Sequence, residues 1–311
     1  MDISILIANW NGEALLKNCI ASIQHFTQGV DYEVIVVDDC SQDRSVEILR
    51  AEFPAVTVIV NQRNYGFAKT NNIGLGIARG KYVFLLNNDT VIRSNVFKQF
   101  VDFMESHPDV GICGGTLVNA GGSRVVSYGN FPSVPEALMG TMFFPELFPR
   151  ARWVLRKAII PPEDIRRPVG VDYISGAAFC IRSVIARAYG LFDESFEAYF
   201  EETDLCARVK KDGKWTIQYF PDAEIVHLEG HSYDSIPDKK IRTMMRSYIL
   251  YLRKHHGPVN RSIIVILNIK RYLLQYFFHG VALLVNPTPD HRARLRELSL
   301  TIGFLFHRHS S

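Results

Sequence analysis

Cysteine is sparse in these 311 residues, and its pattern excludes more than it suggests. The five cysteines (Cys19, Cys40, Cys113, Cys180 and Cys206) are odd in number and show no CxxC spacing. That argues against a disulfide framework or a cysteine zinc site, and it suits a reducing compartment. Charge of one sign is also in short supply: a net charge of +3 is too small to argue for a nucleic-acid partner. Glycine is scarce where a dinucleotide enzyme needs it most. The turn after the first apolar run reads NWNGE, with one glycine where a GxGxxG fingerprint is required. No Gly-Lys-Ser or Gly-Lys-Thr occurs, so a Walker phosphate loop is missing as well. Both absences weaken the dehydrogenase and NTPase readings. MDISILIANWNG carries no basic stretch ahead of its apolar run, so no secretory leader is expected.

What is present is the composition of a globular protein. Apolar residues make up 47% and charged residues 22%, enough for a sizeable core in one large domain or two small ones. Residues 3–8 form a continuous apolar run, as expected of a strand covered on both faces. Residues 9–12 break it, and Ala14, Leu15, Ile20 and Ile23 then mark an amphipathic helix. A second buried strand, residues 32–37, ends on Asp38-Asp39, and Ser41 can cap the helix carrying Val46, Ile48 and Leu49. A third strand covers residues 56–60, a polar loop leads into another helix, and the fourth strand is Tyr82–Leu86. This alternation predicts an α/β fold, a Rossmann-like, doubly wound and mostly parallel sheet.

Ligands of such sheets bind outside the carboxyl ends of the strands. The residues at those ends are Asn9, Asp38-Asp39, Asn61 and Asn87-Asn88-Asp89. Each alone reads as an ordinary turn. Together they predict a row of amides and carboxylates along one sheet edge, which is a site.

From Phe131 to Pro168 the periodicity fails, with prolines at 132, 135, 145, 149, 161, 162 and 168. This predicts a long excursion, of the kind that serves as a lid over a substrate. Order returns at VDYISG (171–176), followed by a strand over 179–182 and a short helix from Ser183. In the stretch FEAYFEETDLCARVKKDGKW an acidic cluster opens a helix, where the dipole favours carboxylates. A strand over 216–220 follows, and Ile225-Val226 leads to His227.

In order, IANWNG, EVIVVDDCSQDRS, NQRNYGFAKTNNIG, YVFLLNNDT, ISGAAFCIR, YFEETDLCARVKKDGKW and AEIVHLEGHS resemble the successive motifs of family 2 glycosyltransferases. The likeness covers residues 2–256 and is to the bacterial rhamnosyltransferase-like branch. It implies the GT-A fold over 1–256, with a nucleotide-sugar half (1–115) and an acceptor half (116–256), and a helical C-terminal extension (257–311). It also implies inverting, metal-dependent, non-processive transfer from a nucleoside-diphosphate sugar, with dTDP-rhamnose the first candidate and UDP-hexoses next. The implied acceptor is a glycan, or a polyprenyl-diphosphate-linked glycan, in cell-surface polysaccharide synthesis.

Carried over position by position, the resemblance makes Glu202 the catalytic base. Asp39 would bind the pyrimidine base, with Ala8 and Asn9 near it. Asn61, Lys69 and Asn72 would approach the ribose and diphosphate. Asn88 and Asp89 stand where the family has its DxD-type motif, and Asp89 would ligate a divalent cation, magnesium or manganese. His227 matches a histidine that ligates the same metal in some relatives. Ser175, Gly176 and Glu201 fall on the acceptor side.

These residue types suit the chemistry. A nucleoside diphosphate leaves with several negative charges, which a hard divalent cation neutralises. Inversion needs one base to take the acceptor's proton, so one carboxylate suffices where a glycosidase needs two. Asn88 departs from the family pattern, since many relatives carry Asp there. Two other readings compete. A processive synthase of the same core needs membrane spans and a QxxRW-type motif, but the only Arg-Trp pair, Arg152-Trp153, has Pro149 at the glutamine position. A catalytically inactive nucleotide-binding or partner-binding module would not need Asp39, Asp89, Glu202 and His227 together.

The C-terminal end is basic, through Lys239, Lys240, Arg242, Arg246, Arg253 and Lys254. The apolar run over 261–285 is broken by Lys270-Arg271 and rich in aromatics (Tyr272, Tyr276, Phe277, Phe278). It suits a helix lying in the plane of an anionic leaflet better than a span. The expectation is a cytoplasmic protein held peripherally on the inner face of the plasma membrane. The competing reading of the same tail is packing against the catalytic domain or a homo-oligomer interface.

Overall fold

The computed structural model describes residues 1–142, 161–228 and 237–309. Contacts divide the chain into two compact units, residues 1–129 with 161–229, and residues 130–160 with 230–311. The expected boundary at 256/257 falls within the second of these units.

The first unit opens with the expected alternation: β1 (Ile3–Asn9), α1 (Glu13–Phe26), β2 (Tyr32–Asp38), α2 (Ser45–Glu52), β3 (Thr57–Val60), α3 (Phe67–Ile77) and β4 (Tyr82–Leu86). Ile3, Ile5, Leu6 and Ile7 are all buried, as both covered faces of β1 require. The buried stripe of α1 is Leu16, Cys19, Ile20 and Ile23, spaced i, i+3, i+4, i+7. Ala14 is exposed. Ser41 does not cap α2, which begins at Ser45 with Asp43 Oδ1 accepting the Ser45 N–H at 3.0 Å. Its hydroxyl goes instead to the fully buried Asp38.

The chain continues through β5 (Thr90–Ile92), α4 (Val96–Ser106), β6 (Val110–Val118), β7 (Arg124–Val125), β8 (Tyr128–Gly129) and α5 (Val134–Met142). After a 3-10 turn at Pro162–Asp164 come β9 (Val169–Gly170), β10 (Tyr173–Ile174), β11 (Ala178–Arg182), α6 (Ser183–Tyr189), α7 (Glu201–Lys211) and β12 (Thr216–His227). The main sheet runs β3-β2-β1-β4-β11-β6-β12-β5, and only β11 and β5 on this path oppose the others. Because β1 lies between β2 and β4, the winding reverses there, the place where open α/β sheets bind ligands. All nine residues of β6 are buried, although VGICGGTLV shows no strand signature. Its glycines are spacers: a Cβ at Gly114 would lie 2.1 Å from Ile174 Cγ2, and one at Gly115 2.3 Å from the Ala223 carbonyl oxygen. β12 is one strand, irregular between Phe220 and Glu224, where the sequence suggested two pieces.

In the second unit, α5 turns part of the proline-rich excursion into helix; residues 143–160, the rest of the expected lid, lie outside the described residues. With it come α8 (Pro237–His255), α9 (Pro258–Val285) and α10 (Pro289–His309). Thr141 Oγ1 donates to the Leu267 carbonyl at 3.1 Å, and Asn268 Nδ2 to Tyr248 Oη at 2.7 Å, so α9 is held by α5 and α8. Ile264, Val265, Asn268 and Gln275 form its buried side. The opposite side exposes Ile263, Ile266, Leu273, Phe277, Val281 and Leu284, apolar residues on one helical stripe. Among the described residues, no helix is long and apolar enough to cross a membrane.

Candidate active site

The carboxyl ends of β1, β2 and β4 bring Asn9, Asp38-Asp39 and Asn87-Asn88-Asp89 together, as the strand pattern predicts. Asp38 accepts from Ser41 N (2.9 Å), Ser41 Oγ (2.6 Å) and Asn9 Nδ2 (2.8 Å). Asn9 Oδ1 in turn accepts from Asn88 Nδ2 at 2.7 Å. Gly12 leaves room for that last bond, since a Cβ there would sit 2.2 Å from Asn88 Nδ2 and 2.6 Å from Asn9 Oδ1. Asn87 also makes the turn that the residue type suggests, its carbonyl accepting from Thr90 Oγ1 at 2.8 Å. Turn and site coexist.

Asp39 is buried and engaged by the loop after β3. Its Oδ1 accepts from Asn61 Nδ2 and Tyr65 N, and its Oδ2 from Gly66 N, each at 2.8 Å. One carboxylate therefore shapes the loop 61–66 and retains acceptor capacity on Oδ2. Ala8, half-buried, stands beside Val37 in register at the same strand ends. Lys69 and Asn72 both reach residues 192–194, and Lys69 also lies over a ring of the loop that Asp39 shapes. Lys69 Nζ lies 3.6 Å from Glu194 and 4.7 Å from the centre of the Tyr65 ring. Asn72 brackets Phe192, donating to its carbonyl (2.9 Å) and accepting from its N–H (3.0 Å).

His227 reaches Asp89 because β12 pairs antiparallel with β5, setting His227 opposite Thr90, while Leu228 N donates to the Asp89 carbonyl at 2.9 Å. His227 Nε2 lies 3.1 Å from Asp89 Oδ1. That oxygen is shielded from solvent and makes no hydrogen bond. Asn87 Nδ2 stands 3.5 Å from the same ring nitrogen. Two acceptor atoms this close need a proton or a cation between them. The pair thus fits a divalent cation of which it supplies two ligands. Among the described residues there is no cluster of three or more His, Cys, Asp or Glu to hold one alone, so substrate oxygens would complete the shell.

Asn87 N donates to the Ala177 carbonyl at 2.9 Å, which ties this edge to the Ser175-Gly176-Ala177 turn. A Cβ on Gly176 would touch Glu202 at 3.8 Å, so the turn lies directly against that side chain. Three acids open α7. Asp204 is fully buried and paired with Arg208 Nε at 2.7 Å. Glu201 and Glu202 each have an Oε2 that is shielded from water and unpaired. Burial pushes both carboxyls up, that of Glu202 to about 7. A carboxyl so poised can take a proton near neutral pH.

Sequence reasoning missed the segment that aims it. Tyr199 and Phe200 have φ of +67° and +68°, a left-handed pair just before Glu201. Such residues cost about 1–3 kcal/mol each and collect at functional sites. Nothing in the letters YF marks this, because aromatics do not favour that conformation. The relay from Asp38 to Asn88 was missed as well, although IANWNG contains both Asn9 and Gly12.

The family model for glycosyl transferase family 2 matches residues 4–166. An N-acetylglucosaminyl-diphospho-decaprenol L-rhamnosyltransferase of Mycobacterium tuberculosis is 25% identical over 253 residues, 78% of this chain and 81% of that one. The rhamnosyltransferase WbbL of Escherichia coli is 25% identical over 260 residues, 80% of this chain and 90% of its own. In structure the chain is similar to a Pyrobaculum calidifontis mannosyltransferase in complex with GDP-Man and Mn2+, with TM-score 0.62, 13% identity and coverage of 99% and 86%. It is also similar to S. aureus TarS, with TM-score 0.56, 14% identity and coverage of 99% and 82%. The mixed α/β sheet is that of the GT-A fold, and the chain belongs to glycosyl transferase family 2.

Proposed function

We propose that this glycosyltransferase moves a sugar, with inversion and in a metal-dependent, non-processive reaction, from a nucleoside-diphosphate donor to a lipid-linked glycan of a cell-surface polysaccharide. dTDP-rhamnose is the first donor, because two relatives across most of the chain are rhamnosyltransferases by name. The acceptor follows the mycobacterial relative, whose name specifies a diphospho-decaprenol. The observation that carries the reading is the buried Glu202 carboxyl, whose Oε2 has no partner, joined through the 175–177 turn to the edge where Asp89 and His227 converge.

In this reading Asp39 and the loop it shapes, with Ala8, Asn9 and Asn61, receive the nucleoside. Asp89 and His227 hold the divalent cation, magnesium or manganese, which when bound neutralises the leaving diphosphate. Ser175, Gly176 and Glu201 face the acceptor. Glu202 takes the proton of the acceptor hydroxyl as that oxygen bonds to the anomeric carbon, while the carbon–oxygen bond to the diphosphate breaks. Its raised basicity suits that task, and burial raises the Glu201 carboxyl beside it as well.

The exposed apolar stripe of α9 also carries Lys270. A helix apolar on both sides suits an interface. Peripheral binding to an anionic leaflet would bring the enzyme to an acceptor held in the bilayer.

The test is a panel of dTDP-rhamnose, UDP-hexoses and GDP-mannose incubated with the full chain and Mn2+ or Mg2+. Release of nucleoside diphosphate from dTDP-rhamnose, abolished by chelator, is the expected result. Release from none of the donors in the presence of metal would contradict it.

A further inference from the structure

The departure at position 88 has a cause in the hydrogen bonds around it. Asp38 is fully buried, and its carboxylate accepts three hydrogen bonds, one of them from Asn9 Nδ2. A carboxylate in that role fixes which way the Asn9 amide faces, with NH2 toward Asp38 and oxygen away. Asn9 is itself buried, so its oxygen must find a donor. The atom it meets, at 2.7 Å, is Asn88 Nδ2. The absence of a side chain at Gly12 leaves room for this bond, since a Cβ there would crowd both of its ends. An ionised aspartate at 88 would set two acceptor oxygens against each other.

We propose that Asp38 is a positioning residue that acts through Asn9 and Asn88, a one-way relay that requires an amide beside Asp89 and holds the 87–89 turn in its binding geometry. The proposal rests on the reading of Asp89 as a metal ligand only for its catalytic consequence. The relay itself is a matter of hydrogen-bond direction. The amide of Asn88 is therefore the group that the relay calls for. Restoring the acid harms the site, although it adds a negative charge next to the cation.

The relay can be reversed. In an Asp38→Asn/Asn88→Asp pair, the new amide at 38 donates to a flipped Asn9 oxygen, and the Asn9 NH2 donates to the new carboxylate at 88. The amide oxygen at 38 still accepts from Ser41 N, and the Ser41 hydroxyl can exchange donor and acceptor roles.

The test is a cycle of Asn88→Asp, Asp38→Asn and the double variant, with Asn88→Ala as reference. Thermal midpoints are read without metal, and Mn2+-dependent release of nucleoside diphosphate is read on the same proteins. Asn88→Asp should melt several degrees below Asn88→Ala, because it adds a repulsion where alanine only removes a donor. Its metal-dependent turnover should fall by about tenfold or more. The double variant should melt higher and turn over faster than either single variant. Insolubility of Asn88→Asp alone, with Asn88→Ala and the double variant soluble, gives the same ordering. If Asn88→Asp matches the parent, or if the double variant is no better than its worse single member, the relay is wrong. The melting cycle needs neither donor nor metal, so it stands or falls apart from the assignment of Asp89.

Discussion

Three carboxylates share the first turn of α7, and their surroundings separate their roles. Asp204 is paired with Arg208, whose guanidinium also binds the carbonyls of Gly190 and Leu191, so it fastens the helix to the preceding loop. Glu202 has no such partner on Oε2. Glu202→Gln keeps the shape and removes the base, and turnover should fall by about 100-fold or more while nucleotide affinity holds; an unchanged rate would move the role to Glu201. The raised carboxyl also links stability to pH. The folded state keeps a proton that the unfolded chain releases near pH ~4.3. The stabilisation is full below that value and is lost as pH rises through about 7. The base, by contrast, works only when ionised, so turnover should rise over the same interval. Melting curves and rate profiles from pH 5 to 8 check both slopes; Glu202→Gln should flatten the rate profile and lessen the stability slope, of which the raised Glu201 carboxyl keeps a share.

At the scale of elements, the alternation of strands and helices was legible because buried parallel strands are apolar throughout and end abruptly on polar residues. Tyr82–Leu86 is an example: five buried residues, then Asn87. β6 was illegible because its identity lies in what its glycines make room for, and Ile174 and Ala223 are distant in sequence. Gly114→Ala should cost about 1–3 kcal/mol by overpacking. Adding Ile174→Ala should recover part of the loss, since it removes the Cγ2 in the way; thermal melting of the singles and the double measures this, and strict additivity would contradict the contact. Strand ends likewise marked the candidate residues without showing their partners. Lys69 and Asn72 lie on α3, and the sequence could not show their contacts with residues 192–194.

For the whole molecule, composition could suggest a basic, apolar tail but not the division of the chain, which joins residues 130–160 to the C-terminal helices across sequence. Such long-range closure leaves no local pattern. The exposed stripe of α9 carries the membrane proposal. Phe277 and Leu284 are 73% and 87% exposed, so charges there should leave the fold intact. Phe277→Asp/Leu284→Asp should lower co-sedimentation with anionic vesicles without changing the melting point or donor turnover. Unchanged sedimentation would assign the stripe to packing or to a second copy of the chain.

In the proposed reaction Asp89 is the carboxylate that bears the metal. The most direct measurement is metal-dependent release of nucleoside diphosphate by Asp89→Ala, beside the parent, with and without chelator. The variant should melt close to the parent and show no metal-dependent turnover. Near-normal turnover by Asp89→Ala with chelator present would contradict it.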